Sequence, residues 1–205
     1  SGAKVTSVAR NKNPIPSVKN VICDILDSEK LDTALQKIIN IDILINVAAT
    51  NLCEKIELID GSEWDRVLNT NLKSYFTAIK HATPIMKNNK SGKIVNVSSI
   101  AGRNRSIVSG VHYTASKYGI IGLTKQSSYE LAKYNINVNC TCPSQTMTDM
   151  LMESMSNSDI EDLTKQIPAR RIANVTEQAK PVLFLCSEAA SYIHGAVIDV
   201  NGGQL

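Results

Sequence analysis

Short apolar runs alternate along the chain with longer segments whose apolar positions recur at helical spacing. The runs are Lys4–Val8, Asn20–Cys23, Ile41–Val47, Lys93–Ser98, Ile136–Cys142 and Ala196–Val200. Most are near-continuous in Val, Ile and Leu, as in strands covered on both faces of a parallel sheet. The helical segments are Ser28–Ile39, Gly61–Met86, Val111–Tyr134 and Val175–Ser187, and Pro181 is expected to delay the start of the last. This alternation predicts an α/β fold, a doubly wound parallel sheet with right-handed crossovers. No repeat, low-complexity stretch or linker divides the chain, so residues 1–205 are expected to form one domain.

Composition narrows the classes of function. The 205 residues are 43% hydrophobic and 20% charged, which supplies a core and argues against disorder. A net charge of +3, carried by scattered lysines, gives no footprint for nucleic acid. No apolar run reaches the roughly 18–20 residues of a membrane span, and no signal peptide opens the chain. Cys23, Cys53, Cys140, Cys142 and Cys186 are odd in number and follow no metal spacing. They are expected to be reduced core or near-core thiols of a cytoplasmic protein, with no metal.

Tyr113-Thr-Ala-Ser-Lys117 places a phenol and an ammonium one helical turn apart on one face. Taken alone, the pair is an ordinary exposed helix pair. Its surroundings say more. Upstream, Gly92-Lys-Ile-Val-Asn-Val-Ser98-Ser99 is a buried strand ending in two serines, and strand carboxyl ends are where open α/β sheets bind ligands. Asp42-Ile-Leu-Ile-Asn46-Val-Ala48-Ala49 is another such strand, ending in a polar residue and small ones that let a ligand approach the backbone. Trp64-Asp-Arg-Val-Leu-Asn-Thr-Asn71 is an amphipathic helix with an asparagine among apolar neighbours. Singly, the serines read as turn formers and Asn71 as a packing polar group.

In order and together, these segments resemble the classical short-chain dehydrogenase/reductase family. The resemblance runs from Gly2-Ala-Lys-Val to the closing Asp199-Val-Asn-Gly202-Gly203, and takes in Ile167-Pro-Ala-Arg170-Arg171. It implies a Rossmann-like NAD(P)-dependent oxidoreductase acting on a small carbonyl or alcohol. Carrier-protein-linked β-ketoacyl reductases and small-carbonyl or sugar reductases are its nearest forms, and a non-catalytic nucleotide-binding or scaffold member is the alternative. By similarity Tyr113 is the general acid–base, and Lys117 favours its phenolate and holds the nicotinamide ribose. Ser99, with Ser98 as runner-up, polarises the carbonyl. Asn71 kinks its helix and orients a water.

Cofactor contacts carry over to Asp24 (adenine), Asn46 and Ala48, Pro143, Thr148 (carboxamide), and Tyr113 and Lys117 themselves. Two motifs depart from the family: Asn46-Val-Ala-Ala49, and Pro143-Ser144 where a Pro-Gly is usual. Ala9-Arg10-Asn11 offers a guanidinium and no carboxylate after the first run, which implies NADP rather than NAD. Residues 149–166, with Met147, Met150, Met152 and Met155 in or beside them, are expected to form the substrate loop. Ile120, Ile121, Tyr129, Val182, Phe184 and Leu185 are expected to supply a two-fold homodimer or homotetramer interface. Ser1-Gly2-Ala3-Lys4 leads straight into a strand, and the 205 residues hold no Gly-rich phosphate turn. The first strand and helix of the fold are therefore expected upstream, in roughly 30–35 further residues.

Overall fold

The computed structural model describes residues 2–106, 108–148 and 156–205. Strands β3 (Ile43–Asn46), β4 (Gly92–Val97), β5 (Ile136–Pro143) and β8 (Val197–Val200) form a parallel sheet in that order. Strands β1 (Thr6–Ala9) and β2 (Lys19–Ile22) form a separate parallel pair, and β6 (Thr146–Met147) pairs with β7 (Ala173–Asn174). Helix α1 (Ser28–Gln36) joins the two larger pieces. Its Leu31, Ala34 and Leu35 cluster with Cys23 and Ala78, and Val8, Val21 and Leu44 pack on them from both sides.

The centre is β4–β5, where Ile94, Val95, Ile136, Val138, Cys140 and Cys142 are all fully buried. The intervening Asn137 and Asn139 are buried as well. Their amides donate to backbone carbonyls at Ser191 (2.9 Å) and Ile193 (3.0 and 2.8 Å), which fastens that segment to the sheet. A buried amide left without partners would cost about 1–3 kcal/mol, so the polar face of β5 depends on this hook.

The segment expected as one helix, Gly61–Met86, is two helices with a break. Helix α2 (Gly61–Leu68) passes through a π-helical turn at Asn69–Lys73 into α3 (Ser74–Asn89). Leu72 of that turn lies against α4 (Val111–Leu131) at Gly119. A Cβ there would stand 2.6 Å from Leu72 Cδ2, so glycine allows the close approach.

Helix α5 (Asn157–Lys165) is followed by α6 (Val175–Leu185). Pro181 does not delay the start of α6; it lies inside the helix. The start is set upstream by a reciprocal cap: Asn174 Oδ1 accepts from the Glu177 N–H (3.0 Å), and Glu177 Oε2 accepts from the Asn174 N–H (2.9 Å). Arg171 holds the Glu177 carboxylate at 2.6 Å through both terminal nitrogens. The proline forfeits only the bond to the Glu177 carbonyl, after the first turn is secured.

Two further expectations need correction. Cys53 is exposed, not near-core, because it lies on the loop after β3. Ile120, Ile121 and Leu185 are buried within the chain's own core, so they offer no interface surface. Of the segment expected to form the substrate loop, residues 149–155, with Met150, Met152 and Met155, lie outside the described residues.

Candidate active site

The carboxyl ends of β4 and β5 meet the first turns of α4, and four of the residues singled out in the sequence converge there. Tyr113 and Lys117 occupy one face of α4, the Lys117 ammonium 5.4 Å from the centre of the Tyr113 ring. Lys117 is only 2% exposed and its Nζ donates to the Val97 carbonyl at 3.1 Å. Tyr75 Oη donates to the same carbonyl (3.2 Å), at the last residue of β4. Burial pulls the Lys117 ammonium down to about 8, since a desolvated cation is disfavoured.

The two serines ending β4 are sorted by the pleat, which sends neighbouring side chains to opposite faces. Ser98 is buried and donates to the Lys117 carbonyl at 2.8 Å, fixing the helix to the strand. Ser99 faces the site. Its hydroxyl accepts from the Ala101 N–H (3.1 Å) and lies beside the Tyr113 phenol. Burial pushes the Tyr113 phenol up, and the neighbouring Ser99 hydroxyl acts against that rise. Lys117, expected to favour the phenolate, is not among the groups that shift the phenol; its ammonium is turned to Val97.

Asn71 sits in the π turn with no exposed surface. Its Oδ1 accepts from the Thr50 N–H at 2.7 Å, and its Nδ2 donates to the Thr50 carbonyl (2.9 Å) and to Ser116 Oγ (3.0 Å). Ser116 Oγ in turn donates to the Tyr113 carbonyl at 2.7 Å. Asn71 thus ties the loop after β3 to the helix that carries Tyr113. The π turn is what aims it there, as π bulges do at functional sites.

The residues carried over as cofactor contacts are more dispersed. Asn46 is buried, its Nδ2 donating to Asn96 Oδ1 (2.9 Å), and Asn96 Nδ2 donates to Thr124 Oγ1 (2.9 Å). This chain holds β3, β4 and α4 in register and leaves Ala48 exposed beyond it. Arg10 and Asp24 follow β1 and β2, whose pairing sets Ala9 beside Ile22, and both are exposed. Asp24 Oδ1 accepts only a local bond, from the Leu26 N–H at 3.1 Å. Pro143 closes β5 half-buried, and Thr148 is exposed beyond β6.

This donor set fits a nicotinamide dinucleotide. A guanidinium and a carboxylate follow the carboxyl ends of β1 and β2, small exposed residues follow β3, and a hydroxyl, a phenol and an ammonium cluster after β4. Among the described residues no group of three or more His, Cys, Asp or Glu is placed to hold a metal ion, and no helix is long and apolar enough to cross a membrane.

Sequence reasoning passed over Tyr75, Thr50, Ser116, Arg66, Glu63 and His112. Two had a local signal: Tyr75 lies one turn from Asn71, and Ser116 lies inside the Tyr113–Lys117 motif. Thr50, Glu63 and Arg66 touch the site from distant parts of the chain, and His112, although it precedes Tyr113, takes its part only through its packing against Glu63.

A strand-end cluster of this kind on a doubly wound sheet belongs to the nucleotide-dependent oxidoreductases. The profile of the family described as Enoyl-(Acyl carrier protein) reductase matches residues 2–204. The chain is 35% identical over 185 residues to the 3-oxoacyl-[acyl-carrier-protein] reductase FabG of Staphylococcus aureus, a match covering 88% of this chain and 74% of that one. A crystal structure of a 3-oxoacyl-[acyl-carrier protein] reductase with bound NAD from Brucella melitensis superposes with a TM-score of 0.82 at 31% identity, over 92% of this chain and 72% of that one. The structure of ElxO with NADP bound gives 0.86 at 26% identity, over 92% and 78%. The chain belongs to the short-chain dehydrogenase/reductase family and is an NAD(P)-dependent oxidoreductase.

Proposed function

We propose that the enzyme reduces a ketone or 3-oxoacyl thioester to the corresponding alcohol with NADPH, Tyr113 supplying the proton. The observation that carries this reading is the convergence of the Tyr113 phenol on the Ser99 hydroxyl at the end of β4, with the buried Lys117 ammonium one turn further along the same helix face. Bound nicotinamide supplies the hydride for the carbonyl carbon. Ser99 holds and polarises the carbonyl oxygen, Tyr113 passes its phenolic proton to that oxygen as the C–O π bond becomes the alcohol, and Lys117, its ammonium turned to Val97, would hold the nicotinamide ribose beside them. A phenol pushed up by burial stays protonated near neutrality, which is the form a proton donor needs.

The same reading assigns the cofactor. Lys117 and Tyr113 would hold the nicotinamide ribose, with Pro143 and Thr148 at the carboxamide. Asn46 and Ala48 would line the middle of the path, Asp24 would meet adenine, and Arg10 would pair with a 2′-phosphate. NADPH is chosen over NADH because Ala9-Arg10-Asn11 offers no carboxylate for free ribose hydroxyls. The thioester is favoured as substrate because the 35% identical relative is a 3-oxoacyl-carrier-protein reductase.

Residues 1–205 act as one nucleotide-binding domain in a reducing compartment, where five free thiols persist. Exposed Phe76, Tyr118, Tyr129, Phe184 and Tyr192 provide the surface for a two-fold homo-oligomer. Light scattering at micromolar concentration is expected to return a dimer or tetramer mass, and a monomer mass refutes the assembly. NADPH oxidation against a panel of 3-oxoacyl thioesters and ketones, repeated with Tyr113→Phe, tests the activity. Turnover of none of them, with intact NADPH binding, sinks the catalytic reading in favour of a binding protein.

A further inference from the structure

Every helix leaves its first N–H groups without intrahelical acceptors, and a polar side chain at the N-cap usually takes one of them. In this chain Asp27, Asp60, Ser156 and Asn174 do so for α1, α2, α5 and α6. Among the described α-helices two lack such a cap: α3, which runs on from the π turn, and α4, which carries Tyr113 and Lys117. The N-cap of α4 is Gly110, which has no side chain to offer.

The unclaimed N–H is that of Tyr113, and it donates to Nδ1 of His112 at 2.9 Å. An accepting Nδ1 places the proton of the neutral ring on Nε2. That nitrogen is fully buried, has no hydrogen-bond partner, and faces Glu63 Oε1 at 3.7 Å. Arg66 grips Glu63 through two contacts of 2.6 Å and donates from Nη1 to Thr50 Oγ1 at 2.9 Å. Thr50 is the residue whose backbone Asn71 clasps, and Asn71 returns through Ser116 to the Tyr113 carbonyl. The contacts therefore leave the backbone N–H of Tyr113 and come back to its C=O.

Gly110 and His112 also share one volume. A Cβ at residue 110 would lie 2.5 Å from His112 Cε1, 2.8 Å from its Nδ1 and 2.9 Å from the Leu52 carbonyl oxygen. A side-chain cap at 110 and the imidazole cannot both be present without one moving.

We propose that His112 is a positioning residue for proton transfer: it replaces the missing N-cap of α4 and, against the Glu63–Arg66 pair, fixes the turn that aims the Tyr113 hydroxyl at Ser99. This rests on the reading of Tyr113 as proton donor. Loosening the first turn displaces that hydroxyl, and a displacement near 1 Å costs on the order of 100-fold in rate. Cofactor binding draws mainly on Lys117, a turn further along α4, and on the strand ends outside that helix, so it changes little.

The test combines kinetics with a readout that does not depend on turnover. His112→Ala is expected to lower kcat by about 10- to 100-fold, with KM and the NADPH Kd within twofold. Hydrogen exchange at the Tyr113 amide should rise at least tenfold. Adding Gly110→Ser to His112→Ala supplies an ordinary cap where the ring has gone; with the Leu52 carbonyl still 2.9 Å from that Cβ, it is expected to recover part of kcat and of the amide protection. Gly110→Ser with His112 present is expected to lose both.

If His112→Ala does not fold, His112→Asn and His112→Gln replace it. Asn sets an acceptor near the Nδ1 position and is expected to keep kcat, whereas Gln is expected to lose it; equal values or the reverse order overturn the proposal. So does a folded His112→Ala enzyme with kcat within twofold of wild type and unchanged amide exchange. A shift in Tyr113 amide exchange with no change in kcat would instead leave the cap standing and remove the proton-donor reading, which Tyr113→Phe checks directly.

Discussion

The two ends of the proposed cofactor path are built to different tolerances. At the reacting end, Lys117, Asn71, Ser98 and Ser116 are buried, and each commits its polar atoms to backbone or side chains of another element or another turn. At the adenosine end, Arg10 and Asp24 are exposed on a two-stranded pair, with a single local hydrogen bond on Asp24. A proton and a hydride must be delivered within about half an ångström, so the groups that deliver them are locked by their neighbours. A phosphate needs only a reachable opposite charge. The contrast separates geometry from charge as sources of function, and substitutions can pull the two apart.

The largest effect is expected at Tyr113. Tyr113→Phe should lower turnover by about 10³-fold while the NADPH Kd, from fluorescence titration, stays within twofold. A mutant retaining a tenth of wild-type activity would move the proton donor elsewhere.

Next comes Lys117, where function and stability are expected to part. Its folded value of about 8 lies below the 10.5 of an unperturbed lysine, so the unfolded chain binds more protons between these limits and wild-type stability rises with pH across that window. Lys117→Met removes the buried charge. It should abolish turnover yet stabilise the fold at pH 7 by up to about 3 kcal/mol, a gain that fades as pH climbs from 8 towards 10.5. Urea melts at pH 7 and pH 10 measure this; a Met variant less stable at pH 7 contradicts it.

At the adenosine end the effects are smaller and confined to binding. Arg10→Ala should weaken NADPH by about tenfold, leave NADH unchanged and spare kcat at saturation. Equal loss for both cofactors would show that Arg10 does not read the 2′-phosphate. Asp24→Asn should cost about threefold in cofactor affinity, and a change in kcat there would contradict the division drawn above.

The same contrast governs what was legible in the sequence. Strands β4 and β5 and the start of α4 at Val111 follow from apolar runs and the Tyr113–Lys117 spacing, and the structure places them within a residue or two. The choice between Ser98 and Ser99 was not decidable from spacing, because neighbouring strand residues face opposite ways and only the packed sheet fixes the phase. The π turn inside Gly61–Met86 was hidden from periodicity, which barely registers one extra residue, and only the resemblance, through Asn71, implied a kink there. Pro181 misled because a cap seven residues earlier, Asn174 with Glu177, outweighs the lost bond. His112 and Glu63 lie 49 positions apart and meet only through the α2–α4 packing. No local pattern announces such a pair.

The π turn at Asn69–Lys73 also sets a rule for how this segment can vary. It carries one residue more than an α-helix of the same path would hold. Deleting a single residue, Thr70 for instance, would let α2 and α3 run on as one regular helix, the locally more comfortable arrangement. Each residue of an α-helix turns the chain by about 100°, so the two halves would rotate against each other by that amount. Asn71 could then no longer reach Thr50 and Ser116 while Tyr75 still reached Val97. The length of this stretch is therefore as much a part of the site as its chemistry: point changes on its outer face are expected to be tolerated, whereas the loss of one codon is expected to disable the enzyme with every reacting side chain still encoded.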